Sequence, residues 1–271
     1  LTSYLAYTVD REHIQRAMTW YVAANILGGF LGRILSGWVA TNAGWRLTFY
    51  LLALALAVCF AAITRIKADS RLSVSPVRPS AVMPILRNGD IARLYAVAFT
   101  IFFAFMALLT YLPFRLREID PSCTSFMISV MYSGYLMGMV VSASATRITR
   151  FFGGEKRAMT TGLALFAAAM LLVNVPSSAG IFASMFVLCG GMFFVHAVAM
   201  GTMNKLAEEN RAVANGLYIS IYYAGAALGS YVPGLLYQGA GWGAFTLTLT
   251  AFIGGAIVLT RGLRFGPADK M

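Results

Sequence analysis

The chain has little charge. Asp, Glu, Lys and Arg make up 11% of its 271 residues, where a soluble globular domain carries about 25%. Acids are the scarcer sign, ten in all, and every one falls outside the long apolar runs. An enzyme embedded in a membrane needs paired acids, a metal cluster or a nucleophile with its base, and the runs supply none of these. Cysteine is equally sparse. Cys59, Cys123 and Cys189 sit far apart without metal-ligand spacing, so neither a disulfide framework nor a zinc site is implied. By position Cys123 belongs to a loop, and Cys59 and Cys189 to apolar runs. No catalytic group, metal site or cofactor is indicated.

What is abundant is apolar length. Hydrophobic residues make up 59% of the chain, and a spanning helix needs about 20 of them in succession. The runs 17–40, 47–64, 94–114, 124–146, 158–175, 180–203, 213–238 and 243–260 meet or approach that length. They predict an all-α polytopic membrane protein with eight full spans. Residues 1–9 have the character of the end of a ninth. With Leu1 in first place and no signal-peptide pattern, the expectation is the C-terminal part of a longer protein.

One stretch occurs twice. Residues 17–45 and 214–242 align without a gap at a shift of 197 and share Ala17/Ala214, Tyr21/Tyr218, Gly28/Gly225, Leu31/Leu228, Gly32/Gly229, Gly37/Gly234, Gly44/Gly241 and Trp45/Trp242. Asn25 falls on Tyr222. Internal repeats fix architecture, and parallel repeats of a half-bundle are one way that secondary transporters are built.

The net charge of +11 is not a nucleic-acid footprint, because its placement follows a different rule. If the first inter-span segment is cytoplasmic, 17 of the 21 Lys and Arg lie in cytoplasmic segments and three, Arg46, Arg115 and Arg117, in outer ones. That asymmetry is the positive-inside rule. Arg33 alone lies within a span.

Residues 65–93 are the longest polar segment. Pro76, Pro79 and Pro84 deny it a continuous helix, which leaves a basic cytoplasmic loop with a short helical piece. The expected division is therefore 1–64 as the remainder of an N-terminal half-bundle, 65–93 as a central loop and 94–271 as a C-terminal six-helix half-bundle. Gly134 and Gly138 form a small-xxx-small face suited to close helix approach. The repeat glycines Gly28, Gly32, Gly37, Gly225, Gly229 and Gly234 are expected to pack helices in the same way.

In these residues the chain resembles the major facilitator superfamily, and within it the bacterial efflux-type permeases. The stretch Gly28-x-x-x-Gly32-Arg33-x-x-Ser36-Gly37 is similar to the antiporter motif of that family's fifth helix, with Arg33 where proline is usual and Ser36 where glycine is usual. Thr146–Arg157 stands where the family has a basic turn between its eighth and ninth helices. Arg147, Arg150, Lys156 and Arg157 supply the charge, and the family's acid is absent. TYLPF at 110–114 and the Gly-Trp pairs are also similar to the efflux branch. The resemblance runs from the end of the family's fourth helix to the end of its twelfth.

Candidates for a substrate cavity or for coupling follow. His196 is the only histidine in a span, and an intramembrane titratable group is a functional candidate by default; the alternative is a neutral imidazole bonded to a neighbouring carbonyl. Tyr218 and Tyr222 lie four apart on one helical face, and the resemblance places them, with Asn25, around the central cavity. Tyr132 begins the Tyr-Ser-Gly-Tyr stretch of its span. Arg33, about 24 Å along its helix from Ala17 at 1.5 Å per residue, either reaches the outer headgroups or points inward toward a partner.

The reading is a multi-pass protein of the bacterial inner membrane. It exports small amphipathic molecules (a drug, metabolite or sugar) by proton antiport with alternating access. Its partners are a small-molecule substrate, protons and the lipid bilayer, not nucleic acid, and it works as a monomer. A proton-driven uptake permease, and a receptor or assembly factor on the same scaffold, are the alternatives.

Overall fold

The computed structural model describes residues 14–65, 79–207 and 210–264, without the side chains of most residues before Leu27. The partial span expected at residues 1–9 and most of the first half of the polar segment lie outside the described residues. Among those described, every regular element is a helix. In chain order these are α1 (Ile14–Ala43), α2 (Trp45–Ile63), α3 (Pro79–Arg87), α4 (Gly89–Ile119), α5 (Ser125–Met131), α6 (Gly134–Ala143), α7 (Ala145–Phe151), α8 (Glu155–Leu172), α9 (Ser178–Leu206) and α10 (Arg211–Arg261). Each of the eight apolar runs falls on helix. Five stretches are long and apolar enough to cross a membrane: Trp45–Ile63, Gly89–Ile119, Ser125–Ala143, Ser178–Leu206 and Arg211–Arg261.

The 51-residue α10 is two limbs, 211–240 and 242–261, meeting at Gly241 with φ 80° and ψ 178°. Helices α1 and α2 meet in the same way at Gly44, with φ 85° and ψ 153°. That backbone region is open almost only to glycine. Gly44 and Gly241 are equivalent repeat positions, each followed by the tryptophan that opens the next helix. The two copies therefore share a backbone break as well as side chains.

The run 124–146 is not one straight helix. It is interrupted at Tyr132–Ser133 and again at Ser144. The polar segment holds more helix than its prolines suggest. Pro79 opens α3 at the first helical position, where its missing N–H is not needed, and Pro84 is accommodated inside. Asn88 then caps α4, its side chain accepting from the amides of Asp90 at 3.0 Å and Ile91 at 3.2 Å.

The chain forms two compact units, Leu1–Pro76 with Cys123–Tyr132, and Val77–Ser122 with Ser133–Met271. In the first, α1 packs on α5. Gly37 lies against Ser129 and the Ser125 carbonyl, with no room for a side chain. The Thr41 hydroxyl accepts from the Phe126 amide at 3.0 Å. Helix α2 buries none of its residues. Cys59 is exposed on it, whereas Cys123 is buried. A loop position therefore does not make Cys123 the accessible thiol.

In the second unit the register is set by polar groups reaching a neighbour's backbone. The Tyr95 hydroxyl donates to the Ala214 carbonyl at 3.0 Å and that of Tyr111 to the Ser230 carbonyl at 3.0 Å, both 119 positions apart. A constant difference in number means parallel helices, so α4 and the first limb of α10 run the same way. An odd number of crossings must separate them, and the runs 124–146, 158–175 and 180–203 supply three. Trp242 Nε1 donates to the Val173 carbonyl at 3.2 Å, and the Thr246 hydroxyl donates to Asn174 Oδ1 at 2.9 Å. Lys156 Nζ meets the Leu263 carbonyl at 3.3 Å. Here the residue numbers sum to a near-constant value, so α8 is antiparallel to the second limb.

Glycines admit the closest approaches. A Cβ on Gly225 or Gly229 would strike the backbone of Phe99 or Phe103, and one on Gly134 would lie 2.6 Å from the Met185 carbonyl oxygen. Gly138 is pressed by the Phe193 ring and Gly234 by Tyr111. At Gly28 and Gly32 nothing described lies within 4 Å of the Cβ either would carry.

Candidate functional site

Helices α4, α9 and α10 bring one aromatic cluster together. His196 comes from α9, two-thirds of the way along. Its Nδ1 lies 3.0 Å from the Tyr218 hydroxyl, which is 3.4 Å from the His196 carbonyl oxygen. Both contacts are satisfied together when Nδ1 carries the proton. Its N–H then donates to the hydroxyl, whose own proton goes to the carbonyl, and Nε2 is left as the acceptor nitrogen. Tyr218 is buried completely; His196 and Tyr222 are half-buried. Tyr222 stacks on Phe102, with centroids 4.2 Å apart. The His196 ring stands edge-on to Phe102 at 5.1 Å and to Tyr222 at 5.5 Å.

Three of the residues singled out in the sequence, His196, Tyr218 and Tyr222, thus meet. Phe102 completes the cluster and was not singled out. It lies in the phenylalanine-rich stretch 99–105, where composition gives no way to tell the ring that meets His196 from those that do not. The helical phase set by Tyr95 and Phe99 is the signal that could have found it.

Arg33 and Tyr132 meet in the first unit. The Arg33 guanidinium lies over the Tyr132 ring at 5.2 Å and donates to the Gly29 carbonyl at 3.2 Å. A cation–π contact of this kind contributes about 0.5–1 kcal/mol when exposed and about 2 when desolvated. Asn25 lies on the same helix, eight positions earlier, with its side chain outside the described residues.

Two charged contacts lie at opposite ends of the second unit. At one end the Tyr237 hydroxyl donates to Glu118, which also pairs with Arg115 at 3.1 Å. The tyrosine holds the Glu118 carboxyl below its ordinary range; partial burial acts the other way and Arg115 adds to the lowering. At the other end Glu155 and Lys205 pair at 2.5 Å. Burial raises the Glu155 carboxyl, but the bond from Lys205, with its own backbone amide, lowers it overall. Of the basic turn, Arg147, Arg150 and Arg157 are exposed, while Lys156 is half-buried. Gly153 and Gly154 form the bend with φ 73° and 126°.

Among the described residues no three His, Cys, Asp or Glu side chains group as a metal site would need. The arrangement is one of aromatic faces, one imidazole and few charges, carried on long apolar helices. The profile of the Major Facilitator Superfamily matches residues 1–203.

The chain belongs to the major facilitator superfamily.

It is a multi-pass membrane protein of that superfamily, and curated members resemble it along most of its length. The uncharacterized MFS-type transporter YybF of Bacillus subtilis is 24% identical over 89% of this chain and 60% of its own length. The inner membrane transport protein YnfM of Escherichia coli is 28% identical over 89% of this chain and 58% of its own. An uncharacterized transporter of Buchnera aphidicola, BU588, is 22% identical over 92% and 63%. The chain spans about three fifths of the length of these superfamily relatives.

Proposed function

We propose that the protein carrying this chain is a secondary transporter of the bacterial cytoplasmic membrane. It exports small amphipathic molecules in exchange for protons, by alternating access and as a monomer. The observation that carries this reading is the cluster of Phe102, His196, Tyr218 and Tyr222. Aromatic faces suit an amphipathic solute. The imidazole is the only titratable nitrogen at hand, with one ring nitrogen bonded and the other available for a proton. Arg33 over Tyr132 is a second candidate for coupling, with Asn25 on the same helix. In the first half of the chain, the resemblance to an antiporter motif at 28–37 favours export.

The test is flux in everted membrane vesicles from cells making the full-length protein. Respiring vesicles should accumulate an amphipathic fluorescent dye, and a protonophore should abolish that accumulation. His196→Gln should lose proton-driven accumulation while keeping dye exchange down a gradient. Accumulation in right-side-out vesicles instead would make the protein an uptake permease, and no flux for any of a broad amphipathic panel would remove transport.

A further inference from the structure

The second unit carries a groove that the aromatic cluster does not use. It lies between α6, α7, α8 and α9 and encloses about 370 Å³, within the ~300–1,000 Å³ typical of small-molecule sites. Its floor is Gly162, Gly190 and Gly191, and its walls include Met137, Ile148, Leu165 and Phe186. Thr161 is the only lining side chain with a hydroxyl. Along α9 the lining runs from Phe186 to Phe194, about 12 Å of helix. The groove is thus elongated along α9, and its lining is almost wholly apolar.

One end of the groove is charged. On α8, Thr161 and Leu165 line it at a spacing of four, and Arg157 is the next residue of that stripe, about 6 Å further along the axis. Arg157 is exposed. Its guanidinium folds toward the bend, with one terminal nitrogen 3.3 Å from where a Gly153 Cβ would stand. That bend adjoins Phe152, itself part of the groove wall. The other cations of the turn are placed differently. Lys156 donates to the Leu263 carbonyl, and Arg150 lines a separate cavity with Glu155 and Lys205. Arg147, just before the lining residue Ile148, is exposed. Neither Arg147 nor Arg157 forms an ion pair among the described residues. Phe151 beside them is 85% exposed, as suits an aromatic anchor at a membrane interface.

We infer that this groove binds one anionic phospholipid of the bilayer, with an acyl chain on the glycine floor and the phosphate on Arg157. An apolar slot alone would accept any chain. Arg157, one turn beyond the lining residue Thr161 and without an ion-pair partner among the described residues, selects a headgroup with net negative charge, because a zwitterionic headgroup brings its own cation to the phosphate.

Purified full-length protein is titrated with phosphatidylglycerol or with phosphatidylcholine of the same chains, and bound lipid is counted by native mass spectrometry. Phosphatidylglycerol should bind one site about fivefold more tightly, the effect of one basic residue near a phosphate. Arg157→Gln should erase that preference, Arg157→Lys should keep it, and Arg261→Gln should leave it unchanged. Thr161→Phe, which fills the groove, should weaken both lipids. A phosphatidylglycerol with a photoreactive tail should crosslink the wild-type protein within 161–165 or 186–194. Equal binding of the two lipids overturns the inference, as does equal loss with Arg261→Gln. Displacement by inorganic phosphate would show a headgroup site without a tail and overturns it too. Crosslinks confined to other helices do the same, and that arm needs no variant that could fail to fold.

Discussion

Gly229 sits against the main chain of Phe103 so closely that no side chain fits between them. Gly225 stands in the same relation to Phe99 one turn earlier. The obstacle in both cases is backbone, which cannot rotate out of the way as a side-chain tip can. Gly229→Ala and Gly225→Ala should therefore each destabilise the protein by about 1–3 kcal/mol, the usual range for overpacking. The measurement is the folded fraction after heating in detergent. Gly243→Ala, where nothing lies within 4 Å, is the matched control and should behave as wild type.

The Tyr237–Glu118 bond makes a prediction with pH. Glu118 titrates below its ordinary value of 4.5 in the folded chain. Its contribution to stability is therefore fully present above that value and is lost as pH falls through the lower, folded one. The carboxylate is half exposed, so the effect is about 1 kcal/mol or less. Tyr237→Phe should lower the melting temperature at pH 7 and lose that deficit in the acid range. A deficit of the same size at pH 7 and pH 3 would mean that the tyrosine acts through packing alone.

Arg33 and Tyr132 should behave as a pair. If the guanidinium acts through the ring, Arg33→Met and Tyr132→Leu each lower flux, and the double variant is no worse than either alone. Tyr132→Phe keeps the ring face and should retain most of the activity. Independent, additive losses in this cycle would separate the two residues and return Arg33 to the role of an interfacial anchor.

Tyr218→Phe removes the hydroxyl partner of His196 Nδ1 while keeping the ring. Leaving a buried polar group unpaired costs about 1–3 kcal/mol, so the imidazole should change rotamer or protonation behaviour. The expected result is a shifted pH profile of proton-coupled flux with dye affinity little changed. An unchanged profile with normal flux would exclude the pair from coupling.

The helices were legible because apolar length is a local property of the sequence, and all eight runs fall on helix. The Gly-Trp junctions were legible as a repeat, although the identities alone did not show that Gly44 and Gly241 share a backbone conformation. Gly28 and Gly32 are a related case. Their repeat partners Gly225 and Gly229 pack on α4, but a glycine records only that a close approach is possible, and what approaches is a property of another helix. The same limit applies to the cluster. His196 and Tyr218 stood out because polar groups are rare in spans, while Phe102, one phenylalanine among several, was chosen by tertiary phase. The bends at Ser133 and Ser144 were hidden because an apolar run looks alike whether straight or broken. Glu155 pairing with Lys205 was out of reach as well, since the two are 50 positions apart.

The parallel pairing of α4 with α10 also sets a schedule for synthesis. Partners such as Tyr95 and Ala214 are 119 positions apart, and at about 5–20 residues per second the ribosome needs roughly 6 to 24 s to deliver the second after the first. For that interval α4 stands in the bilayer without the helix it will hold most extensively. Its mating surface, Phe99 and Phe103, is apolar and compatible with acyl chains while it waits. The Tyr95 and Tyr111 hydroxyls that later fix the register cannot reach a carbonyl of their own helix and wait for those of α10. Newly made α4 is thus a finished membrane segment but an unfinished protein surface, and a chain stopped short of Ala214 would insert normally and still lack the partner that holds α4 in place.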